Sequence, residues 1–354
     1  MVVEKFIPRA IFNASEHLPR SYFLGHHKAG LEQMKAMLDS VDHVIECRDF
    51  RVPATSINPL FEEVLGRKTR TIVYTKRDLG GGLDIQNKGR ENLIRQWENS
   101  QSKVFFNAYR NNLCTARLVE HLMNIPFKNT SLTGYRLLVV GMPNVGKSSL
   151  INALHSGSPL FRRNRHPGKG KVKGKVLRTG ADPGVTRKIG APIKLLEKDG
   201  VGVYVCDTPG VFMPYIHEPE SALKLALCGI IKDSLVSVVT LADYLLFHIN
   251  LVARYSYQKW CLPTNDISEF LNQFAIRQNL LATGGVPDIE RAARQWITLW
   301  RNGGIAQFIL DDIPKVSWEK KIAKLKNDSN YQGSLEVPEL TPETVEAILK
   351  RGAV

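Results

Sequence analysis

The sequence predicts a doubly wound α/β sheet followed by an α-helical C-terminal domain, and three observations indicate this architecture. Up to about residue 210, short apolar runs alternate with helical patterns, which is typical of parallel strands connected by helices. The segment Gly141–Ser148 reads G-x-x-x-x-G-K-S and lies between an apolar run and a helical pattern, the context in which this motif binds phosphate. From about residue 217 to residue 312 the spacing of apolar residues is helical.

In the first half of the chain, candidate binding motifs follow the predicted strands. The predicted strands are 41–47, 71–74, 104–106 and 137–140, the predicted helices are 28–38, 89–97 and 113–123 with another opening at Asn58, and 126–134 is a linker. Thr75–Asp78, Asn107–Ala108 and Gly141–Ser148 each lie where a strand ends. Because ligands bind at the carboxyl ends of the strands in such sheets, we expect these three motifs to share one site.

The second half adds two strands and then the helices. The strands are predicted at 191–196 and 202–206, and the second ends in Asp207–Gly210. The helices are predicted at 221–227, 235–251, 267–279 and 289–302. We therefore divide the chain into a sheet domain at 1–216 with an N-terminal extension at 1–25, a helical domain at 217–313 and a charged tail at 314–354.

Composition indicates a globular protein with a polyanionic partner. The 354 residues are 43% hydrophobic and carry a net charge of +14, which favours nucleic acid first and anionic lipid second; a role in solubility alone is the alternative. Five cysteines without a C-x-x-C pair indicate buried, reduced thiols rather than disulfides or a zinc site. The longest apolar stretch, 235–252, contains Asp243 and His248 and is predicted to be a buried helix, not a transmembrane segment.

The phosphate loop predicts how a nucleotide and Mg²⁺ would bind. Lys147 would reach the β- and γ-phosphates, and the Ser148 hydroxyl would bind Mg²⁺. The candidate phosphate-binding residues are Asn144, Val145, Gly146, Lys147, Ser148 and Ser149. Asp207 would hold Mg²⁺ through water, and the N–H of Gly210 would contact the γ-phosphate. Thr186 is the candidate switch threonine that completes the Mg²⁺ coordination; an ordinary loop threonine is the alternative.

The segment Thr75–Asp78 predicts that the base is guanine. The Asp78 carboxylate can accept hydrogen bonds from N1–H and the N2 amino group of guanine, and adenine would leave it unpaired. Lys76 would lie along the plane of the base. The candidate guanine-binding residues are Thr75, Lys76, Asp78, Asn107 and Ala108. A P-loop kinase that binds ATP is the alternative, against which Asp78 and Asp207–Gly210 argue.

The order of the motifs is unusual, because the base-binding segment precedes the phosphate loop. This order resembles the circularly permuted GTPases, specifically the YlqF-like ribosome-assembly family and its mitochondrial members. The resemblance extends over about residues 20–310 and rests on Gly25-His26, 48–53, Asn58-Pro59, 75–78, 141–148, 184–186, 207–210, 242–244 and 263–266. Thr75 stands where the usual motif has Asn, and Asn107 stands where many GTPases have Ser, so the resemblance implies a lower nucleotide affinity.

The resemblance implies a slow GTPase that assists assembly of the large mitochondrial ribosomal subunit and contacts its rRNA and proteins. Val211 stands where Ras-like enzymes hold the glutamine that orients water. His26 matches the family's histidine and would orient or deprotonate that water; His27, or a structural or RNA-contacting role for His26, is the alternative. Asn144 resembles a position that helps to bind K⁺ beside the phosphates. The implied location is the mitochondrial matrix, and peripheral contact with the inner membrane stays open.

Residues 162–178 form a basic segment that would capture rRNA phosphates. It contains eight Lys and Arg residues and no acidic residue. The candidate RNA-binding residues are Arg162, Arg163, Arg165, Lys169, Lys171, Lys173 and Lys175. A solvated linker is the alternative for the segment, and a non-catalytic GTP-binding rRNA scaffold is the alternative for the whole chain.

Overall fold

The structure is a computed structural model of the chain. It describes residues 6–14, 25–66, 68–81, 84–97, 102–108, 112–126, 134–157, 192–198, 200–211, 216, 218–231, 236–253 and 255–313.

Within these residues, six strands form one sheet. They are β1 (His43–Asp49), β2 (Arg70–Thr75), β3 (Lys103–Phe106), β4 (Tyr135–Gly141), β5 (Ile193–Lys198) and β6 (Val201–Asp207). Their order is β3-β2-β1-β4-β6-β5, and every neighbouring pair is parallel except β5 with β6. The predicted sheet is therefore confirmed, with one antiparallel edge strand, because β5 and β6 are consecutive strands joined by a short turn.

Five described helices accompany the strands and four follow them. They are α1 (Gly25–Met37), α2 (Pro59–Leu65), α3 (Asp84–Trp97), α4 (Asn112–Asn124), α5 (Lys147–Gly157), α6 (Pro219–Leu227), α7 (Val238–Ala253), α8 (Ile267–Arg277) and α9 (Ile289–Arg301). Helix α1 begins before the predicted start at 28, so His26 lies in its first turn. Helix α3 also begins earlier than predicted. The prediction missed its first turns because they are mostly polar and show no apolar periodicity. None of the described helices has the length and apolarity needed to cross a membrane.

Side-chain caps explain where several helices begin. Asn58 accepts a hydrogen bond from the N–H of Leu60 at the start of α2, and Pro59 occupies the first helical position. Asp266 accepts from Ser268 and Glu269 to open α8. These residue types satisfy N–H groups that have no partner within a helix.

The hydrophobic core is continuous between the sheet and the C-terminal helices. One cluster joins Val73 and Val139 of the sheet to Leu223 of α6 and Trp296 of α9. A second cluster packs α1 and α2 against the opposite face of β1 and β4. All five cysteines are free, and four of them are buried.

Residues near both ends of the described chain make contacts between the two predicted domains, across the boundary at residue 216. Near the N-terminus, the guanidinium of Arg9 donates two hydrogen bonds to Asp243 of α7. The Phe12 ring lies 5.1 Å from that of Tyr244. Near the C-terminus, Asp311 accepts hydrogen bonds from the N–H groups of Ala54 and Thr55, each at 2.8 Å. These contacts tie the sheet closely to the C-terminal helices. The division into two domains stays a prediction.

Candidate functional site

The phosphate loop connects β4 to α5 at the carboxyl end of the sheet. The Lys147 ammonium curls over the loop and donates to the carbonyls of Gly141 at 3.2 Å and Met142 at 2.8 Å. Burial lowers the pKa of Lys147, and the Asp207 charge opposes this. Gly210 lies against the loop, because a Cβ atom there would be 2.5 Å from the Cα of Pro143. Only glycine allows this close approach between the two loops.

Ser148 and Asp207 form an oxygen-rich pair next to this loop. The Ser148 hydroxyl donates to Oδ2 of Asp207 at 2.7 Å. Oδ1 of Asp207 is buried and has no hydrogen-bond partner among the described residues. Burial raises the pKa of this carboxyl, while Lys147 and the Ser148 hydrogen bond lower it. A hydroxyl and an unsatisfied carboxylate oxygen are the donors that Mg²⁺ prefers, so these residues fit that ion.

The segment Thr75–Asp78, which is predicted to bind the base, touches the phosphate loop directly. The Thr75 hydroxyl donates to the Val145 carbonyl. The Lys76 ammonium donates to the Asn144 carbonyl at 2.7 Å. Lys76 adopts a left-handed conformation with φ +55°, an uncommon backbone geometry that local contacts must stabilise. Residues almost 70 positions apart in the sequence therefore form one surface.

Asn107 holds the next strand end against the same segment. Its carbonyl accepts from the N–H of Arg77 at 3.1 Å, and its own N–H donates to the Tyr74 carbonyl at 2.8 Å. Its side-chain Oδ1 accepts from Thr115 at 3.3 Å, and its Nδ2 is buried without a hydrogen-bond partner among the described residues. Asp78 lies in the 3-10 turn Arg77–Leu79, and Ala108 follows Asn107. The structure thus brings together all five residues predicted to bind guanine.

Asp49 and Arg51 are site residues to which sequence reasoning assigned no role. The Asp49 carboxylate is fully buried and accepts from Arg51 through Nε at 3.0 Å and Nη2 at 2.8 Å. The same carboxylate accepts from Lys76 Nζ at 2.8 Å. Burial alone would raise the pKa of Asp49, but the charges of Arg51 and Lys76 hold it well below its usual range. The signal in the sequence is only that they lie at the carboxyl end of β1, where ligands bind in such sheets; the order of the strands is needed to place them beside Lys76.

Asn144 also contacts the C-terminal helices. Its side-chain amide donates to the carbonyl of Gly229, just after α6, at 2.9 Å. Because a carbonyl only accepts, the amide nitrogen must face Gly229, and this fixes the orientation of the side chain. Whether Asn144 binds K⁺ stays a prediction.

Val211 cannot orient a water molecule. Its side chain is buried beneath the site among apolar residues of α1 and α2. Its carbonyl accepts from the Asn58 side chain at 3.0 Å, and its N–H donates to the Gly141 carbonyl at 3.2 Å. The position that follows the Asp207–Gly210 motif is thus structural in this chain.

Several predicted residues lie outside what the structure describes. Thr186 and the basic segment 162–178 with its seven candidate RNA-binding residues are outside the described residues. The backbone of His26 lies in α1, and its side chain is not among those described. The roles of these residues stay predictions.

Comparison with known proteins identifies the family of the chain. A family model described as a 50S ribosome-binding GTPase matches residues 136–282. Mitochondrial GTPase 1 of Schizosaccharomyces pombe is 34% identical over 347 residues, which cover 93% of this chain and 99% of that protein. Mitochondrial ribosome-associated GTPase 1 of Mus musculus is 36% identical, with coverage of 86% and 93%. The structure of GNP-bound YlqF from T. maritima matches with a TM-score of 0.51 and 24% identity, covering 79% of this chain and 98% of that one.

Fold, site and comparisons together define a P-loop GTPase in which the base-binding motif precedes the phosphate loop, the circularly permuted order. The extent and identity of the matches to these relatives place the chain within a family. It belongs to the mitochondrial GTPase 1 family.

Proposed function

We propose that this protein hydrolyses GTP to time the assembly of the large mitochondrial ribosomal subunit. GTP would favour docking on the subunit, and hydrolysis would favour release. The relatives are named as mitochondrial, and some as ribosome-associated, which supports a mitochondrial location for this chain. The location within the matrix is part of the proposal.

One observation carries the choice of ligand. Lys76 Nζ bonds to the Asn144 carbonyl at 2.7 Å, which places the start of the base-binding segment within one hydrogen bond of the phosphate loop. A nucleotide whose phosphates lie on that loop would therefore extend its base toward Asp78. A carboxylate there selects guanine over adenine, because adenine offers it no matching pair of donors.

Mg²⁺ would be held by Ser148, by Asp207 and by Thr186. The ion would neutralise charge on the phosphates of the nucleotide. Asp207 fits this role because one of its oxygens is buried without a partner among the described residues. Gly210 lies against the phosphate loop, so its N–H would meet the γ-phosphate and report its presence. Asn144 would contribute to a K⁺ site beside the phosphates.

Hydrolysis by the isolated protein should be slow. The buried Val211 leaves the attacking water without the usual glutamine, and phosphoryl transfer depends on positioning such a water. We propose that His26 orients it, with His27 as the neighbouring alternative. Docking on the ribosomal subunit would complete the arrangement and accelerate turnover.

The basic segment 162–178 would supply the contact with rRNA. Its positive charge favours binding to phosphates, and it lies between the phosphate loop and Thr186 in the sequence. Binding of RNA would then order Thr186 for catalysis. Neutralising Lys169, Lys171, Lys173 and Lys175 together should weaken rRNA binding and flatten its dependence on salt.

The decisive test is GTP turnover with and without large-subunit precursors. We expect stimulation by the precursors, with His26→Ala abolishing the stimulated rate and leaving GDP affinity unchanged. Single-turnover hydrolysis that stays at the unstimulated rate would favour the non-catalytic scaffold. Displacement of bound GDP by ATP as readily as by GTP would instead favour the kinase alternative.

A further inference from the structure

The turn after α6 is bound by side chains from three parts of the chain. Arg301 donates to the carbonyls of Ala226 at 2.7 Å and Leu227 at 2.9 Å. Arg51 donates to the carbonyl of Cys228 at 3.1 Å. Carbonyls at a helix C-terminus lack helical partners and carry partial negative charge, so cationic donors stabilise them. We call residues 226–229 the α6 turn.

Two of the donors to the α6 turn belong to the nucleotide-binding half of the chain. Arg51 follows β1, and Asn144, which donates to the last carbonyl of the turn at 2.9 Å, lies in the phosphate loop. The Arg51 guanidinium also lies 5.1 Å from the ring centre of Trp300 in α9. The turn is therefore a junction between the site and the helices.

The contacts form a closed ring. Starting from the α6 turn, Asn144 donates to the turn, Lys76 donates to Asn144, Asp49 accepts from Lys76, and Arg51 joins Asp49 back to the turn. Asp49 and Arg51 are 0% and 2% exposed. A buried ion pair whose partner moves leaves an uncompensated charge, which is strongly unfavourable. Asp49, Arg51 and Lys76 are therefore held together, with Arg51 bonded to the α6 turn and Lys76 bonded to the phosphate loop.

We infer that Asp49 and Arg51 are positioning residues that hold Lys76 in place for the base while the α6 turn is docked, so that guanine-nucleotide binding and docking of the helices reinforce each other. This inference rests on the proposed function. A nucleotide that contacts Lys76 and the phosphate loop favours the closed ring, and the closed ring favours the docked turn. By linkage, the factor by which bound GDP favours the docked turn equals the factor by which the docked turn favours GDP binding. Loosening the turn must therefore weaken nucleotide binding.

The first test measures hydrogen exchange in the full-length protein with and without GDP. The N–H of Gly229 bonds to the Ala226 carbonyl at 2.8 Å, and the N–H of Ile230 bonds to the Leu225 carbonyl at 2.9 Å across the turn, so the exchange of both reports opening of the α6 turn. We expect GDP to slow their exchange about tenfold, within the roughly 5- to 150-fold range of couplings between sites. Exchange that is the same with and without bound GDP would overturn the inference and leave the proposed function intact.

The second test replaces Arg51 with lysine, which keeps the charge but cannot donate to Asp49 and the turn in the same geometry. We expect Arg51→Lys to bind a fluorescent GDP analogue about tenfold more weakly and to remove the effect of GDP on exchange at Gly229. The matched control is Arg48→Lys. Arg48 is also fully buried and bonds to Glu46 at 2.6 Å and to Tyr74.

The outcomes separate the two hypotheses. An equal loss of GDP affinity in Arg51→Lys and Arg48→Lys, or no loss in Arg51→Lys, would overturn the inference. Absence of GDP binding to the wild-type protein would instead overturn the proposed function. If Arg51→Lys does not fold, the exchange measurement on the wild-type protein decides the question alone.

Discussion

Replacing Thr75 with valine tests whether the base-binding segment and the phosphate loop act as one unit. The Thr75 side chain is fully buried, and its hydroxyl donates to the buried Val145 carbonyl; the Arg48 carbonyl is also 3.1 Å away. Valine keeps the shape and removes the donor. Leaving a buried acceptor unsatisfied costs about 1–3 kcal/mol, so the melting temperature should fall by roughly 2–12 °C, given about 2–4 °C per kcal/mol for a domain of this size.

The same substitution should weaken nucleotide binding. The hydrogen bond ties the base-binding segment to the phosphate loop, so without it the two segments must be ordered when GDP binds. We expect a loss of GDP affinity no larger than the stability loss, about 5- to 150-fold for 1–3 kcal/mol. Thermal unfolding and titration of a fluorescent GDP analogue measure both quantities. Thr75→Ser is the control, because it keeps the hydroxyl and loses one methyl group. Equal loss of affinity in the two variants, or no loss of stability in the valine variant, would refute the reasoning.

Three other expectations concern the base, acid stability and chain packing. Asp78→Asn should weaken GDP binding about 10²- to 10⁴-fold, since two hydrogen bonds to a charged acceptor contribute roughly 1.5–3 kcal/mol each. It should also improve the binding of xanthosine diphosphate (XDP) in a competition titration. Retained preference for GDP would contradict the assignment of Asp78 to the base. Burial lowers the pKa of His248 from 6.5 to about 4. Between these two pH values the unfolded chain binds more protons than the folded one, so stability falls as the pH decreases. His248→Phe should flatten the dependence of the free energy of unfolding on pH, and an unchanged slope would count against this role of His248. Gly81→Ala places Cβ 1.7 Å from the Gln307 carbonyl oxygen and should lower the melting temperature. Gly66→Ala is the control, because φ is also positive there but no atom lies within 4 Å of the Cβ position, and it should lower the melting temperature less. Equal decreases in melting temperature would show that the contact between Gly81 and Gln307 is unimportant.

The strands and the phosphate loop could be predicted because their signals are local. An apolar run before Gly141 and a helical pattern after Lys147 are enough to place the loop between β4 and α5. The start of α1 could not be predicted in this way, because its first turn contains no apolar side chain that would mark a buried face. The antiparallel direction of β5 follows from its connection to β6, which apolar spacing does not reveal.

The ring around Asp49 was beyond sequence reasoning for a different reason. Its members lie at the ends of β1 and β2, in the phosphate loop and in the α6 turn, and no spacing in the sequence relates them. Only the order of the strands in the sheet places Asp49 beside Lys76, since β1 lies between β2 and β4. A charged pair such as Asp49 and Arg51 also looks like an exposed loop in the sequence, whereas here it is buried.

The permuted order gives the ring a direct connection to the γ-phosphate side of the site. Strand β6 ends in the motif that contains Gly210, and the chain then enters the helices instead of returning to the sheet. Gly229, 19 residues after Gly210 (229 − 210), contacts the phosphate loop again through Asn144. Gly210, which we propose senses the γ-phosphate, and the turn that anchors the helices therefore both contact the phosphate loop. In a chain whose base-binding motif came last, the segment after β6 would return to the sheet instead of entering these helices.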